Sequence, residues 1–275
     1  MKKVAVIGRG YVGKSVFNFF KDHFEVLFYD PNVEGSSTKE ECNKCDLAVV
    51  CVPTPMAEDY SVDLSIVNAT IDWLETPLIL IKSTIPPTTT AGLISRTGKN
   101  IAFSPEMIGE GKYEVNWWQG HPHPSDMKLH YFHIIGGEKK VTRAIVQFFL
   151  KVGGPSKTYT QTDSLSAEIM KYTENIWGAM KVTWANEMYQ CCENLGADWA
   201  VVRELWALDG RVDKMHTAVF EDNRGWSGKC YPKDLVGFIK FMQKISYEPE
   251  LLKEIVRTNA RFSSKEDMKK LSKGL

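Results

Sequence analysis

The first half of the chain alternates between two patterns. Short apolar runs rich in β-branched residues stand at Lys3–Ile7, Glu25–Tyr29, Asp46–Val52, Leu78–Lys82 and Ile101–Phe103, with further strand-like runs at His130–Ile135 and near Lys157–Tyr159. Between them apolar residues recur every three or four positions, as at Val12, Val16, Phe19 and Phe20, from Asp63 as a helix cap through Trp73, and from Glu138 to Lys151. Runs without internal alternation read as strands buried on both faces, and strand–helix alternation predicts an α/β domain with a doubly wound parallel sheet. The pattern then changes. From Ser164 to Asn194 the helical rhythm is continuous up to Gly196, about 45 Å of helix at 1.5 Å per residue. Ile169, Tyr172, Ile176, Met180, Thr183 and Glu187 share one stripe of it and Lys171, Asn175 and Gly178 a second, so two faces are engaged. Helices follow at Asp198–Leu208, Lys233–Ile245, Pro249–Arg261 and, behind the capping box Ser263-x-x-Glu266, Lys265–Lys273. The expected division is an α/β domain over 1–162 and a long central helix with an all-helical domain over 163–275.

The junction of the first strand and first helix holds Gly8-x-Gly10-x-x-Gly13. In that context glycines allow the tight turn, the approach of backbone to a pyrophosphate and the packing of helix on sheet, and the phosphate charge rests on the helix N-terminus. The second strand ends in Asp30, at the distance where an acid binds both adenosine ribose hydroxyls and repels a 2′-phosphate. The domain therefore reads as a Rossmann-type unit for NAD rather than NADP.

Composition narrows the partners. Lys plus Arg and Asp plus Glu number 34 each, so no net positive field draws nucleic acid or an anionic membrane, and the partner is a small molecule. No apolar run reaches the roughly 18 residues of a membrane span. Met1-Lys2-Lys3 runs straight into the first strand, and the six cysteines lack a secretory segment ahead of them, which reads as a reducing cytoplasm. Cys42-x-x-Cys45 has no second pair at zinc spacing, and His121, His123, His130 and His133 suit a packed loop, so no metal is expected.

One cysteine has a different setting. Cys230 lies in Gly225-Trp226-Ser227-Gly228-Lys229-Cys230-Tyr231-Pro232-Lys233-Asp234, just before an expected helix N-terminus. The dipole there, with Lys229 and Lys233 nearby, favours thiolate and so a nucleophile. Lys171 and Asn175, four apart, suit a substrate hydroxyl and its developing charge, and Glu106 and Glu110 follow the fifth strand where carboxylates position water or take a proton.

These pieces together resemble the UDP-glucose/GDP-mannose dehydrogenase family, whose members oxidise a primary alcohol of a sugar nucleotide to the carboxylate with two NAD. The resemblance rests on Gly8-Arg9-Gly10-Tyr11-Val12-Gly13, Cys51-Val52-Pro53-Thr54-Pro55, Asp63-Leu64-Ser65, Lys82-Ser83-Thr84-Ile85-Pro86, Ser104-Pro105-Glu106, Lys171-Tyr172-x-x-Asn175, Asn186-Glu187 and Gly228 to Asp234. It implies Cys230 as nucleophile, Lys171 and Asn175 as oxyanion donors, Asp234 and Thr84 as holders of water and Glu106 in acid/base steps. It further implies NAD contacts from Gly8, Gly10, Tyr11, Val12, Gly13, Asp30, Thr54, Thr84, Glu110 and Lys233. Substrate contacts fall to Lys171, Asn175, Gly228 and Arg211, the last reaching the partner's substrate in a homodimer built on the long helix. Relatives of this kind carry a further α/β domain for the nucleotide, which the sequence to Leu275 does not hold; the loop at 110–135 with Trp117 and Trp118, and a partner subunit, are expected to close the cleft instead. Two other functions share much of this sequence: a two-electron β-hydroxyacid-type dehydrogenase, which needs no cysteine, and a non-catalytic NAD-binding protein.

Overall fold

The apolar runs become strands. In the computed structural model, which describes residues 2–108 and 126–275, β1 (Lys3–Ile7), β2 (Glu25–Tyr29), β3 (Leu47–Val50), β4 (Ile79–Ile81), β5 (Ile101–Phe103), β6 (Phe132–Gly137) and β7 (Thr158–Thr162) form one sheet in the order β2-β1-β3-β4-β5-β6-β7. All pairs are parallel except β5 with β6, where Ala102 faces Gly137 and Phe103 faces Gly136. The rest is the doubly wound parallel sheet expected, with this one reversal. A parallel neighbour needs a crossover, whereas β6 returns along β5 directly from the segment that follows it.

Side chains alternate across the sheet. On one face Val4, Val6, Leu47, Val49 and Leu80 meet Phe19 and Phe20 of α1 (Tyr11–Phe20), and the same core holds Phe148 and Phe149 from a later helix. On the other face Ala5, Ile7, Ala48, Val50, Ile79 and Ile81 share a core with Cys42, which closes α2 (Lys39–Cys42), with Val67 and Ile71 of α3 (Ser65–Trp73), and with Leu93 of α4 (Thr89–Thr97). Each fully buried side chain of this size contributes about 1.5–3 kcal/mol. The later helix is α5 (Lys139–Gly153), and α6 (Ser164–Leu195) is the long one expected, 32 residues in all.

Two compact units result, one comprising the residues up to Pro55 with Asp63–Lys171, the other Met56–Val62 with Tyr172–Leu275. The second unit holds α7 (Trp199–Trp206), α8 (Cys230–Lys244), α9 (Glu250–Phe262) and α10 (Glu266–Lys273). Its core gathers Ala179 of α6, Trp226, Leu235, Val236, Ile239, Ile255, Val256, Met268 and Leu271. Met56–Val62 joins it as a tight turn closed by a bridge between Met56 and Val62.

Local details differ from the sequence reading in three places. Ile169 is 40% exposed, and Tyr172, Ala179, Thr183 and Asn186 are among the buried members of α6, because a helix of mixed polarity on every face is not phased by its largest aliphatics alone. Asp63 is not the cap of α3; its Oδ1 accepts from Ser65 N at 2.8 Å and the helix starts at Ser65. Ser263 behaves alike, its Oγ accepting from Lys265 N at 3.2 Å before α10 begins at Glu266, so the expected box gives way to a local turn. A capping box does form elsewhere, between Thr38 and Glu41.

Candidate active site

The glycine turn is built as its chemistry requires. Gly8 has φ +92° and donates its N–H to Tyr29 O at 2.8 Å. A Cβ on Gly13 would lie 1.9 Å from Gly8 O, so only glycine lets α1 pack this closely on β1. Gly10 caps α1 and an added Cβ there meets nothing within 4 Å, which leaves the helix N-terminus open to a ligand. At the end of β2, Asp30 accepts from Arg9 N at 2.7 Å and Asn32 N at 3.0 Å. The Arg9 guanidinium folds back over Phe17, 3.8 Å from the ring centroid. Tyr11 is 40% exposed and Val12 packs on the core. Open backbone, helix dipole and an anchored carboxylate together fit the pyrophosphate and ribose of NAD.

The ends of β3, β4 and β5 in the same unit bring further residues together. Thr54 Oγ1 donates to Thr84 O at 2.9 Å. Lys171 Nζ lies 2.8 Å from Glu106 Oε1 and donates to Glu106 O at 2.8 Å, while Ile108 N donates to Glu106 Oε2 at 2.9 Å. Lys171 is 4% exposed. Burial works to raise the Glu106 carboxyl, but the Lys171 charge and hydrogen bond, the Ile108 amide and the more distant Lys82 outweigh it and hold the group below its ordinary range. An ammonium and a carboxylate expected to act separately are thus directly paired.

In the second unit, Cys230 is the first residue of α8 rather than a residue ahead of it. Pro232, which lacks an N–H to bond, is accommodated in the first turn, so the helix extends three residues further back than its apolar rhythm indicates. Cys230 is half-buried, and Gly228 before it has φ +89°. One turn on, on the same face of α8, Asp234 is 1% exposed; its Oδ2 accepts from Asn175 Nδ2 at 2.5 Å and its Oδ1 from Lys233 Nζ at 2.5 Å. Gly178 of α6 makes room for Tyr231, whose hydroxyl would lie 2.4 Å from a Cβ there. A cavity of about 580 Å³ opens beside this loop, lined by Met56, Tyr60, Ser227, Gly228, Lys265 and Lys270 among others. That volume suits a small-molecule ligand.

Sequence reasoning missed Asn259. It is fully buried on α9, accepts from Trp226 N at 2.8 Å and donates to Trp226 O at 2.9 Å, fastening the loop that leads to Cys230. Its only signal was an amide set among the apolar positions of α9. Arg211 is not brought to the cavity beside Gly228. Its side chain is 90% exposed, pairs with Asp209 and lines a separate cavity of about 430 Å³ with Trp177, Trp184 and Trp206. Glu110, Trp117, Trp118, His121 and His123 lie outside the described residues.

His133 is packed between Phe19, Phe149 and Tyr159, and burial pushes its imidazole down to about 3. Cys42 and Cys45 are buried, and burial raises their thiols to about 12 and about 11. Both therefore remain thiols in a packed core. Among the described residues no group of His, Cys, Asp and Glu is arranged to hold a metal ion, and no helix is long and apolar enough to cross a membrane.

A parallel-sheet dinucleotide cradle and a helical unit with a cysteine at a helix start define a Rossmann-type dehydrogenase class. Residues 30–119 match the NAD binding domain of the UDP-glucose/GDP-mannose dehydrogenase family and residues 165–261 its central domain, about two thirds of the chain between them. The chain belongs to the UDP-glucose/GDP-mannose dehydrogenase family, and the cofactor of its first unit is NAD.

Among its relatives, a UDP-glucose 6-dehydrogenase of Rickettsia bellii is 27% identical over 231 residues, covering 80% of this chain and 50% of the relative. The structure of a UDP-glucose dehydrogenase from Pyrobaculum islandicum superposes with a TM-score of 0.77 at 26% identity, over 94% of this chain and 68% of that one. The chain thus spans about half the length of the curated relatives it matches. A 3-hydroxyisobutyrate dehydrogenase from Mycobacterium tuberculosis, with a TM-score of 0.66 at 15% identity over 95% of this chain and 93% of its own, shares the fold alone.

Proposed function

We propose that the protein oxidises a primary alcohol of a sugar nucleotide, of the UDP-glucose kind, to the carboxylate, with Cys230 holding the carbon between two oxidations. The observation that carries this reading is the first turn of α8: a half-buried thiol at the helix start and, one turn on, a buried carboxylate with both oxygens engaged by Asn175 and Lys233. A two-electron dehydrogenase has no use for that cysteine.

These residues would hold NAD: Gly8, Gly10, Tyr11, Val12, Gly13, Asp30, Thr54, Thr84 and Lys233; two NAD molecules, bound one after the other, would each accept one hydride. Cys230 Sγ adds to the aldehyde carbon and keeps it as a thiohemiacetal, so that the intermediate does not escape before the second oxidation leaves a thioester. Attack of water on the thioester breaks the C–S bond, releases the acid and returns the thiol. Asp234 and Thr84 hold that water, and Asp234 accepts its proton. Lys171 and Asn175 offer donors to the oxygen that becomes negative, an effect worth about 2.7–4 kcal/mol per donor. Glu106 keeps Lys171 oriented and exchanges protons with the alcohol. The cavity beside Gly228 receives the sugar.

The active form is a cytoplasmic homodimer through α6, with Arg211 contributed to the partner's substrate. Exposed Trp177, Trp184 and Trp206 around the Arg211 cavity support that face as an interface. Sedimentation equilibrium that gives a monomer at assay concentration excludes the dimer.

The deciding experiment counts NADH. Two NADH per acid are expected from a sugar nucleotide, and none of the acid in Cys230→Ala. One NADH per turnover, with activity intact in Cys230→Ala, refutes the reading in favour of a β-hydroxyacid-type dehydrogenase.

A further inference from the structure

The carboxyl end of β4 carries a lysine to which neither the glycine cradle nor the Cys230 helix assigns a role. Lys82 is 3% exposed, and its ammonium donates to Ser104 Oγ at 3.1 Å, Pro105 O at 3.3 Å and Ser104 O at 3.4 Å. All three acceptors are neutral, and all belong to the two residues immediately before Glu106. We propose that Lys82 is a positioning residue, which fastens Ser104 and Pro105 so that Glu106 is presented to Lys171 and whose charge helps keep Glu106 ionised. The catalytic weight of this inference rests on the proposed oxidation; the fastening does not.

A buried amine is a costly way to tie down a loop, since serine or asparagine supplies hydrogen bonds without a charge to desolvate. The cavity against Lys82, about 10 Å³ and bordered by Ser104, Ile108, His130 and His133, has room for one water at most. The ammonium is therefore compensated mainly by Ser104 and Pro105. What a lysine adds is its charge, and the recipient is Glu106, whose carboxylate Lys82 helps to hold below its ordinary range.

The titratable groups facing Lys82 come from four directions. Cys51 after β3 is a thiol raised to about 12, Glu106 follows β5, Lys171 comes from α6, and His133 on β6 is neutral with His130 nearby. Burial lowers Lys82 to about 8, with Lys171 acting in the same direction and Cys51 and Glu106 against it. Lys82 is thus charged at neutral pH and surrenders its proton just above it.

The test reads Glu106 directly. Glutamate carboxyls labelled with ¹³C are titrated by NMR, the Glu106 signal being assigned by its loss in Glu106→Gln. In Lys82→Met the Glu106 midpoint should rise, while NAD affinity stays within about threefold. With a sugar nucleotide, kcat should fall about tenfold or more with KM for NAD little changed. The wild-type step in rate with a midpoint near pH 8 should vanish in that variant. Lys82→Arg, which keeps charge and donors, should recover part of each loss. An unchanged Glu106 midpoint in folded Lys82→Met overturns the inference whatever the activity. If wild type forms no NADH from any sugar nucleotide, the proposed oxidation fails and the carboxyl titration still decides Lys82. Should Lys82→Met lose its cooperative unfolding transition, ¹³Cε-lysine titration of wild type decides instead: a Lys82 midpoint below about pH 6, which leaves an uncharged amine at neutral pH, overturns the inference.

Discussion

Two alanine substitutions in the same turn, Gly13→Ala and Gly10→Ala, should separate folding from ligand binding. At Gly13 the new Cβ would sit 1.9 Å from Gly8 O and 2.9 Å from Gly8 C, well short of the 3.4 Å at which ordinary contact begins. The obstacle is backbone, tied to the sheet by the Gly8 N–H bond to Tyr29 O, so α1 must lift by about 1.5 Å or β1 must distort. Overpacking of this kind costs about 3 kcal/mol or more, and the better helix propensity of alanine returns about 1 kcal/mol. A net loss of about 2 kcal/mol should appear as a lower urea midpoint with unchanged slope, followed by circular dichroism. At Gly10 nothing lies within 4 Å, and the cost is that of replacing glycine at an N-cap, about 1 kcal/mol at most. The methyl instead stands where a pyrophosphate approaches the helix N-terminus, so NAD affinity by fluorescence titration should fall about tenfold, or 1.4 kcal/mol. Gly13→Ala as stable as wild type within about 0.5 kcal/mol refutes the steric argument, and Gly10→Ala with unaltered NAD affinity refutes the cradle.

Two further outcomes follow from named groups. Asp30→Ala should narrow the preference for NAD over NADP by about tenfold, since it removes both the ribose acceptor and the repulsion of a 2′-phosphate; equal NAD and NADP affinities in the wild type contradict this. His133 has a folded value of about 3 against its ordinary 6.5, so the unfolded chain binds a proton that the fold refuses between those limits. Its contribution is complete above about pH 6.5 and is lost as pH falls toward 3, a drop of about 4 kcal/mol that His133→Phe should flatten in urea titrations across that range. An identical acid limb in wild type and His133→Phe refutes it.

Elements whose signal is local were legible in the sequence. The strands, the glycine turn and the 32-residue helix all follow from periodicity and punctuation that neighbouring residues carry. The pairing of Lys171 with Glu106, 65 positions apart, was not legible, nor was the clamp of Asn259 on Trp226, because each depends on how distant elements meet. Cys230 was singled out for the right setting but placed one step early, since proline in a first turn conceals where a helix begins. Ile169 was misplaced for the opposite reason: its hydrophobicity was taken at face value on a helix where a tyrosine and small residues fill the buried side.

The antiparallel return of β6 along β5 has a consequence for how such a protein diversifies. Phe103 ends β5 at the ligand edge of the sheet, and β6, starting at Phe132, comes back to pair Gly136 with Phe103, so the intervening sequence departs from and rejoins the same edge. Residues added or removed there leave every strand register intact, and doubling such a span costs only about 0.6 kcal/mol of closure entropy. Lineages can therefore lengthen or shorten that one stretch by insertion and deletion, while the scaffold that grips the cofactor stays under separate selection.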